Sequence, residues 1–350
     1  MVVPAYNMAP YIGRCLDSLL AQTVPMEIIV VNDGSTDATS ERIRAFVPDT
    51  FHSIVLIEQS NRGLSATRNV GLRRASGEFI GLVDGDDWVE PGMYSTLVDA
   101  ASKMSADLTI CSGEMVDHNT RATMPFHDDQ RFSALAAERL APFDARVVPD
   151  AFRLDTSACK RLYRRSWLQG LGFEFGNGLL FEDILAHYQL LMSGGRVLLV
   201  DRKFYKYRIN HPGRITDRRD QRVLTVFEVL TRSGQALAAS HASQEVWASF
   251  IWFQSWVLRW LASQIDPAHH EGFMNGVVRL GRQFPRRGIR EFQATFSEDQ
   301  DSQITVALQM FGSKNTFLRL ATKTLTDRDQ RIVSRADRFR SFAPFFGRAF

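Results

Sequence analysis

Hydrophobic and polar positions alternate in blocks along the first hundred residues. Val2-Val3-Pro4 is a short apolar run that predicts a strand, and Ile12, Cys15, Leu16, Leu19 and Leu20 then recur at helical spacing, with Pro10 near the first turn. Glu27 to Asn32 is a continuous apolar run of the kind that forms a fully buried parallel strand. Asp33-Gly34-Ser35-Thr36-Asp37 is a turn opening a second helix, with Ser35 or Thr36 as its expected cap. Ile54 to Ile57 predicts a third strand, Leu64 to Ala75 a helix, and Glu78 to Val83 a fourth strand that runs straight into Asp84-Gly85-Asp86-Asp87-Trp88. A helix follows Pro91, and Leu108 to Cys111 predicts a fifth strand.

Strands alternating with helices imply an α/β fold, a mostly parallel central sheet with helices on both faces. Ligands of such sheets sit beyond the carboxyl ends of the strands, where each unusual motif of this chain falls. Residues 113–158 are less regular. Glu182 to Met192 predicts a helix, and Val197 to Val200 and Phe204 to Arg208 two strands. From about Thr216 the pattern is helical to the end, with no internal repeat. The first strand has only three residues before its turn, against about five or six for an average strand. Either the start is trimmed or this strand is short.

Composition adds little to this picture, but charge adds a direction. The 350 residues carry 42 Lys+Arg and 39 Asp+Glu, a formal net charge of +3. Residues 1–150 hold 12 basic and 21 acidic side chains, whereas residues 151–350 hold 30 basic and 18 acidic. Such asymmetry can mark a surface that meets an anionic partner. No apolar stretch reaches the length of a membrane span, and no signal-peptide pattern opens the chain. Cys15, Cys111 and Cys159 are odd in number and far apart, neither a disulfide framework nor a metal-ligand spacing, and suit a reducing cytoplasm.

Four segments carry candidate chemistry. Asp84-x-Asp86-Asp87 crowds three carboxylates, which a hard divalent cation such as Mg²⁺ or Mn²⁺ would make tolerable; an acidic turn in which Asp87 caps the next helix is the plainer alternative. Asp33 in the DGS turn can accept from a pyrimidine imide, or the turn can simply cap a helix. Asn61-Arg62-Gly63 leads into a helix whose N-terminus favours phosphate, and Arg68 on it pairs either with a bound anion or, at the surface, with Asp84 or Asp86. Phe181-Glu182-Asp183 opens a helix, where acidic residues are favourable on electrostatic grounds alone. His211-Pro212-Gly213-Arg214 is a turn with a basic end.

Taken in order, Val3-Pro4-Ala5-Tyr6-Asn7, Asn32-Asp33-Gly34-Ser35-Thr36-Asp37, Asn61-x-Gly63-Leu64-Ser65-x-x-Arg68-Asn69 and Asp84-Gly85-Asp86-Asp87 resemble family 2 glycosyltransferases of the GT-A fold. So do Lys160-Arg161-Leu162-Tyr163, Phe181-Glu182-Asp183 and Gly213-Arg214-Ile215-Thr216, most like bacterial capsule, exopolysaccharide and wall-polymer transferases. The resemblance covers about residues 1–216. It implies a nucleotide-sugar-binding half at 1–112 and an acceptor and catalytic-base half at 113–216, followed by a helical C-terminal region at 217–350. It implies that Pro4, Tyr6 and Asp33 hold the nucleobase, that Asn61, Gly63 and Arg68 contact base and diphosphate, and that Asp84 meets the ribose. It implies Asp86 as metal ligand for Mn²⁺ or Mg²⁺, Asp183 as catalytic base, and His211 and Arg214 as groups closing over the diphosphate. Asp87, Lys160 and Glu182 are acceptor contacts or supports of the site. The implied reaction is inverting transfer from a nucleotide-sugar, by default a UDP-sugar, to a hydroxyl of a glycan, polymer or lipid-linked acceptor in cell-surface polysaccharide synthesis.

The C-terminal region has no readable chemistry. Trp247, Trp252, Trp256 and Trp260, with Phe250 and Phe253, are expected to pack on the catalytic domain or in a homo-oligomer, a membrane-interface helix being the alternative. Arg331, Arg335, Arg338, Arg340 and Arg348 interleave with Phe339, Phe342, Phe345, Phe346 and Phe350, a tail suited to an anionic membrane surface or simply to solvent. The expected location is the cytoplasm, peripheral to the inner membrane face. No nucleic-acid motif accompanies the pI of 8.8. Two further functions compete: a sugar nucleotidyltransferase, which would favour a Gly-rich loop where Pro4-Ala5-Tyr6-Asn7 stands, and an inactive scaffold or carbohydrate-binding subunit.

Overall fold

In the computed structural model, residues 1–46, 51–215 and 219–296 are described. The Arg/Phe tail and Thr216 lie outside them. Two compact units interleave along the chain. The first contains Met1–Ala145, Thr156–Gly178 and Ser193–Pro212; the second contains Arg146–Asp155, Leu179–Met192 and the described residues from Gly213 onward.

The first unit begins with β1 (Val2–Ala5), α1 (Ile12–Leu20), β2 (Met26–Asp33), α2 (Thr39–Arg44), β3 (His52–Gln59) and α3 (Leu64–Arg74). The three strands form a parallel sheet in the order β1-β2-β3, with Val2 opposite Ile29 and Ile28 opposite Ile54. The alternating pattern at the start of the chain therefore means what it predicts. β2 is buried over nearly its whole length. α1 places Ile12, Cys15, Leu16 and Leu19 inside.

α3 lies so close to β1 that only glycine fits at Gly71, where a Cβ would fall 2.2 Å from Val2 Cγ1. Gly71→Ala is therefore expected to destabilise the fold. Overpacking a rigid contact costs about 1–3 kcal/mol, more than the roughly 1 kcal/mol that alanine gains in a helix. Urea denaturation should show a lower midpoint at unchanged slope.

The fourth predicted strand does not simply extend this sheet. Val2 makes a parallel bridge to Leu82, but β4 (Phe79–Gly81) pairs antiparallel with a strand from far along the chain, β9. Between them come β5 (Trp88–Val89), α4 (Met93–Met104), β6 (Leu108–Asp117), β7 (Thr123–Pro125), α5 (Asp129–Glu138) and β8 (Phe143–Asp144); β9 (Arg161–Arg164) precedes α6 (Arg165–Gly170). The second sheet has seven strands, with β4-β9-β6-β10-β5 as its path, β7 on β6 and β8 on β10. β10 is a single strand, Arg196–Ile209, where sequence predicts two. A register shift between Val200 and Lys203 lets it continue beside β6, which runs on to Asp117. Among the described pairings of this sheet only β6–β10 is parallel, so the mostly parallel expectation describes the first three strands and the second sheet is mixed.

In the second unit, α7 (Glu182–Met192) and the helices α8 (Val226–Ala239), α9 (Gln244–Ala262), α10 (His270–Gly281) and α11 (Arg286–Thr295) pack around the aromatic residues of α9. Phe250, Trp252 and Phe253 are nearly inaccessible, and Trp252 lies under the Arg153 guanidinium at 4.5 Å. Gly288 meets Trp247 with a Cβ-to-Cβ distance that would be 2.8 Å, which brings α11 against α9. The aromatic stripe is thus used in packing within this unit. No helix among the described residues is long and apolar enough to cross a membrane.

Candidate active site

The ends of β1 and β2 are stitched to each other. Asn7, left-handed at φ 54°, donates its backbone N–H to Ser35 Oγ (2.9 Å) and accepts from the Thr36 N–H through Oδ1 (2.8 Å). Asp37 Oδ2 accepts from the Ala9 N–H at 3.1 Å, and Thr39 Oγ1 from Met8 at 2.8 Å. Ser35 and Thr36 are not the cap of α2, whose flanking residue is Ala38 with no side-chain cap bond; Ser35 donates to Asn32 Oδ1 within its own turn, and both residues bond Asn7 of the neighbouring one. Pro4 is buried at this edge and Tyr6 is 43% exposed.

Asp33 ends β2 almost wholly buried, and its carboxylate is a staple for the next loop. Oδ1 accepts from Gln59 Nε2 (2.7 Å) and the Arg62 N–H (2.8 Å), and Oδ2 from the Gly63 N–H (2.8 Å). Gly34 has φ +72°, and a Cβ there would stand 2.8 Å from Asn61 N, so the approach of the two turns requires glycine. Asn61 and Gly63 are consequently held at the surface beside Asp33. Two residues beyond α3's first turn the helix turns inward. Asn69 clamps the backbone of Phe175, accepting its N–H at 2.8 Å and donating to its carbonyl at 2.9 Å.

Arg68 is not the surface arginine that one reading of the sequence allows. It is 1% exposed, its guanidinium 3.0 Å from Asp84 Oδ1 and 3.3 Å from Oδ2, with the Phe175 ring 5.3 Å away. Arg68 is thus buried while its partner Asp84 is 28% exposed, a pairing worth more than one wholly at the surface.

The carboxylates that follow have separate tasks. Asp87 is buried and caps no helix; it accepts from Tyr205 Oη at 2.6 Å and from the Arg208 N–H at 2.7 Å. Desolvation, then the neighbouring Asp86 and Asp84, push its carboxyl well above the usual range, while the two hydrogen bonds oppose this. Tyr205 also accepts from the Asp84 N–H at 3.4 Å, and Arg208 Nε donates to the Asp86 carbonyl at 2.7 Å. The bend of the acidic turn is thereby fixed to β10. Arg208 lies over Tyr11 and Trp88, at 5.1 and 4.9 Å from the ring centres.

Asp86 faces His211, with Oδ2 and Nε2 2.8 Å apart. The approach is an ion-pair contact rather than an aligned hydrogen bond. His211 is 3% exposed, sits edge-on to Tyr11 at 4.7 Å, and its Nδ1 is 2.9 Å from the Pro212 carbonyl. At 2.8 Å the imidazole nitrogen and the carboxylate oxygen need a proton or a cation between them, since two lone pairs would repel. This donor set fits a divalent cation that takes two protein ligands and completes its shell with phosphate and water. No group of three metal-holding side chains occurs among the described residues.

Lys160 is interior, 1% exposed, 3.8 Å from Asp128 Oδ1 and 4.0 Å from the Phe126 ring centre. The second unit carries the remaining candidates. Asp183 is partly exposed in the first turn of α7, beside the buried Glu182 and after Phe181, whose φ of 65° turns the chain into the helix. Arg214 is partly exposed. Sequence reading passed over Tyr205, Arg208 and Tyr11, which hold the acidic turn and His211. The signal of Tyr205 and Arg208, aromatic and basic residues in a strand far along the chain, is indistinguishable from ordinary strand composition, and Tyr11 reads simply as a residue before a helix.

Comparison with known proteins gives the family and the fold. The family model described as glycosyl transferase family 2 matches residues 1–172. GlyA of Streptococcus pneumoniae, a glycosyltransferase, is 34% identical over 215 residues, which are 60% of this chain and 30% of GlyA. The chain therefore spans less than a third of that relative's own length. EpsH of Bacillus subtilis is 31% identical over 249 residues, 69% of this chain and 67% of EpsH. Among solved structures, TarS residues 1–349 of S. aureus in complex with UDP-GlcNAc superpose with a TM-score of 0.75 at 17% identity, covering 93% of this chain and 91% of that one. That likeness is one of fold. The chain is a member of glycosyltransferase family 2.

Proposed function

We propose that this glycosyltransferase is an inverting, metal-dependent enzyme that moves a sugar from a nucleotide-sugar, a UDP-sugar by preference, to a hydroxyl of a glycan, polymer or lipid-linked acceptor. The observation that carries the reading is the Asp86–His211 pair, two metal-type donors facing each other next to the Asp33-anchored loop and the Arg68–Asp84 pair. TarS, solved with UDP-GlcNAc, lends support to a nucleotide-sugar donor. The turn Pro4-Ala5-Tyr6-Asn7, in place of a Gly-rich loop, speaks against nucleotidyl transfer.

In this mechanism Tyr6 offers a flat face to the base, and Asp33 keeps the Asn61–Gly63 loop in position around it. Asp84, oriented by Arg68, meets the ribose. Asp86 and His211 would hold the divalent cation, which would supply positive charge against the departing nucleoside diphosphate. Asp183 accepts the proton of the acceptor hydroxyl. The acceptor oxygen bonds to the anomeric carbon from the face opposite the phosphate, and the electron pair of the breaking C–O bond leaves on the diphosphate. Arg214 assists by its charge. Lys160, Glu182 and Asp87 support the groups beside them.

Acceptor-free turnover is the direct test. The protein incubated with individual UDP-sugars is expected to release UDP from at least one of them in Mn²⁺ or Mg²⁺. EDTA should suppress the release and added metal restore it. Undiminished release in chelator would remove the metal from the mechanism, and failure with every UDP-sugar would remove the donor class.

A further inference from the structure

The second unit contains a cavity of about 330 Å³ that the transfer reaction does not use. Leu230 of α8, Trp247 and Phe250 of α9 and Leu280 of α10 form its apolar wall, and Gln254 lines it as well. Trp247, Phe250 and Gln254 are spaced i, i+3 and i+7, so one face of α9 presents all of them. Gln254 is 1% exposed, and neither its amide oxygen nor its amide nitrogen meets a hydrogen-bond partner. A buried side-chain amide with both ends unpaired is uncommon and asks for an explanation. Leucine at the same place would fill the space with no such penalty.

A second observation bears on the same cavity. Gly234 interrupts α8, and a Cβ there would stand 3.4 Å from Phe250 Cε1 and 3.8 Å from Trp247 Cη2. Glycine inside a helix lowers its stability. Here its absent side chain keeps space open in front of the two rings.

We propose that this cavity binds one pyranose ring of a glycan. Turned toward the cavity from its present inaccessible position, the Gln254 amide offers two N–H donors and a carbonyl acceptor, the complement of neighbouring hydroxyls that each donate and accept. The Trp247 ring supplies an apolar face for the C–H side of the sugar. The volume is at the small end of ligand pockets, enough for one ring rather than an extended chain. An acyl chain would suit the walls but leave the amide unmet. Among the described residues no lysine or arginine lines the cavity, so phosphate has no strong cationic partner there. The inference stands on the second unit alone and does not depend on the donor or the metal.

Saturation-transfer NMR on the whole chain tests it, with glucose, galactose and N-acetylglucosamine as probes and excess UDP present to block donor residues. At least one sugar is expected to receive saturation and to shift the Trp247 indole N–H. Gln254→Leu should weaken that binding about tenfold, the loss of a pair of hydrogen bonds, without lowering the melting temperature. Gly234→Ala should weaken it too, and it decides the matter alone if Gln254→Leu does not fold. UDP binding should be unchanged in both variants. The proposal is overturned if no sugar binds at tens of millimolar, if binding survives undiminished in both variants, if UDP abolishes it, or if only a long-chain alcohol enters the cavity.

Discussion

Asp183→Asn is expected to reduce sugar transfer by about 10²–10⁴-fold, the range a positioned general base contributes, while UDP affinity stays near the wild-type value. Asparagine preserves the shape of the side chain but cannot take the proton of the attacking hydroxyl. Folding should be little disturbed. Asp183 sits partly exposed in the first turn of α7, where the helix-dipole contribution of its charge is about 0.3–1 kcal/mol. The neighbouring Glu182 is buried, and Glu182→Gln serves as a comparison in which transfer persists. Single-turnover rates with donor and acceptor measure the chemical step, and calorimetry with UDP measures the nucleotide complex. A variant transferring sugar at the wild-type rate would move the base to another residue. One that also lost UDP would show a folding defect instead.

Local patterning made β1 and β2 legible, because a parallel strand buried on both faces reads as an uninterrupted apolar run, and the half-exposed β3 still shows one at Ile54–Ile57. The same logic placed the motifs at strand ends. It could not foresee β4 leaving for a second sheet, since antiparallel pairing of Ile80 with Tyr163 joins segments more than eighty positions apart. Nor could it foresee β10 as one strand, because Asp201, Arg202 and Lys203 look like a loop and instead lie in the irregular stretch that lets the strand bend along β6.

For the site, residue types were legible and their partners were not. Asp33 was readable as an acceptor for a base; that its two oxygens already receive a glutamine amide and two backbone N–H groups depends on a loop only the folded chain brings near. Arg68 was readable as pairing with an anion or with Asp84 or Asp86 at the surface, and it meets Asp84 from a buried position. The three cysteines are buried and outside any disulfide, and burial pushes the Cys111 thiol up to about 12, away from reactivity.

Asp86→Ala and His211→Ala are each expected to lower transfer by about 10²-fold or more, several kcal/mol of charge stabilisation at the leaving group. The double variant should lose little beyond either single one. If the two side chains hold one cation, removing the first abolishes the task of the second, and effects of groups acting as a unit do not add. Pro212's carbonyl lies 2.9 Å from His211 Nδ1 and orients the ring, with Nε2 2.8 Å from Asp86 Oδ2, so the two donors are held together. A stability role alone would show as a drop in melting temperature with unchanged metal dependence. A cation-holding role shows as a higher Mn²⁺ concentration for half-maximal activity, or weaker calorimetric binding of Mn²⁺ in the presence of UDP, at wild-type melting temperature. Asp87→Asn offers the contrast. Asp87 is buried against Tyr205 and Arg208, so its replacement should shift stability while leaving the metal titration midpoint near that of the wild type. Equal metal titrations for wild type, Asp86→Ala and His211→Ala would place the cation elsewhere.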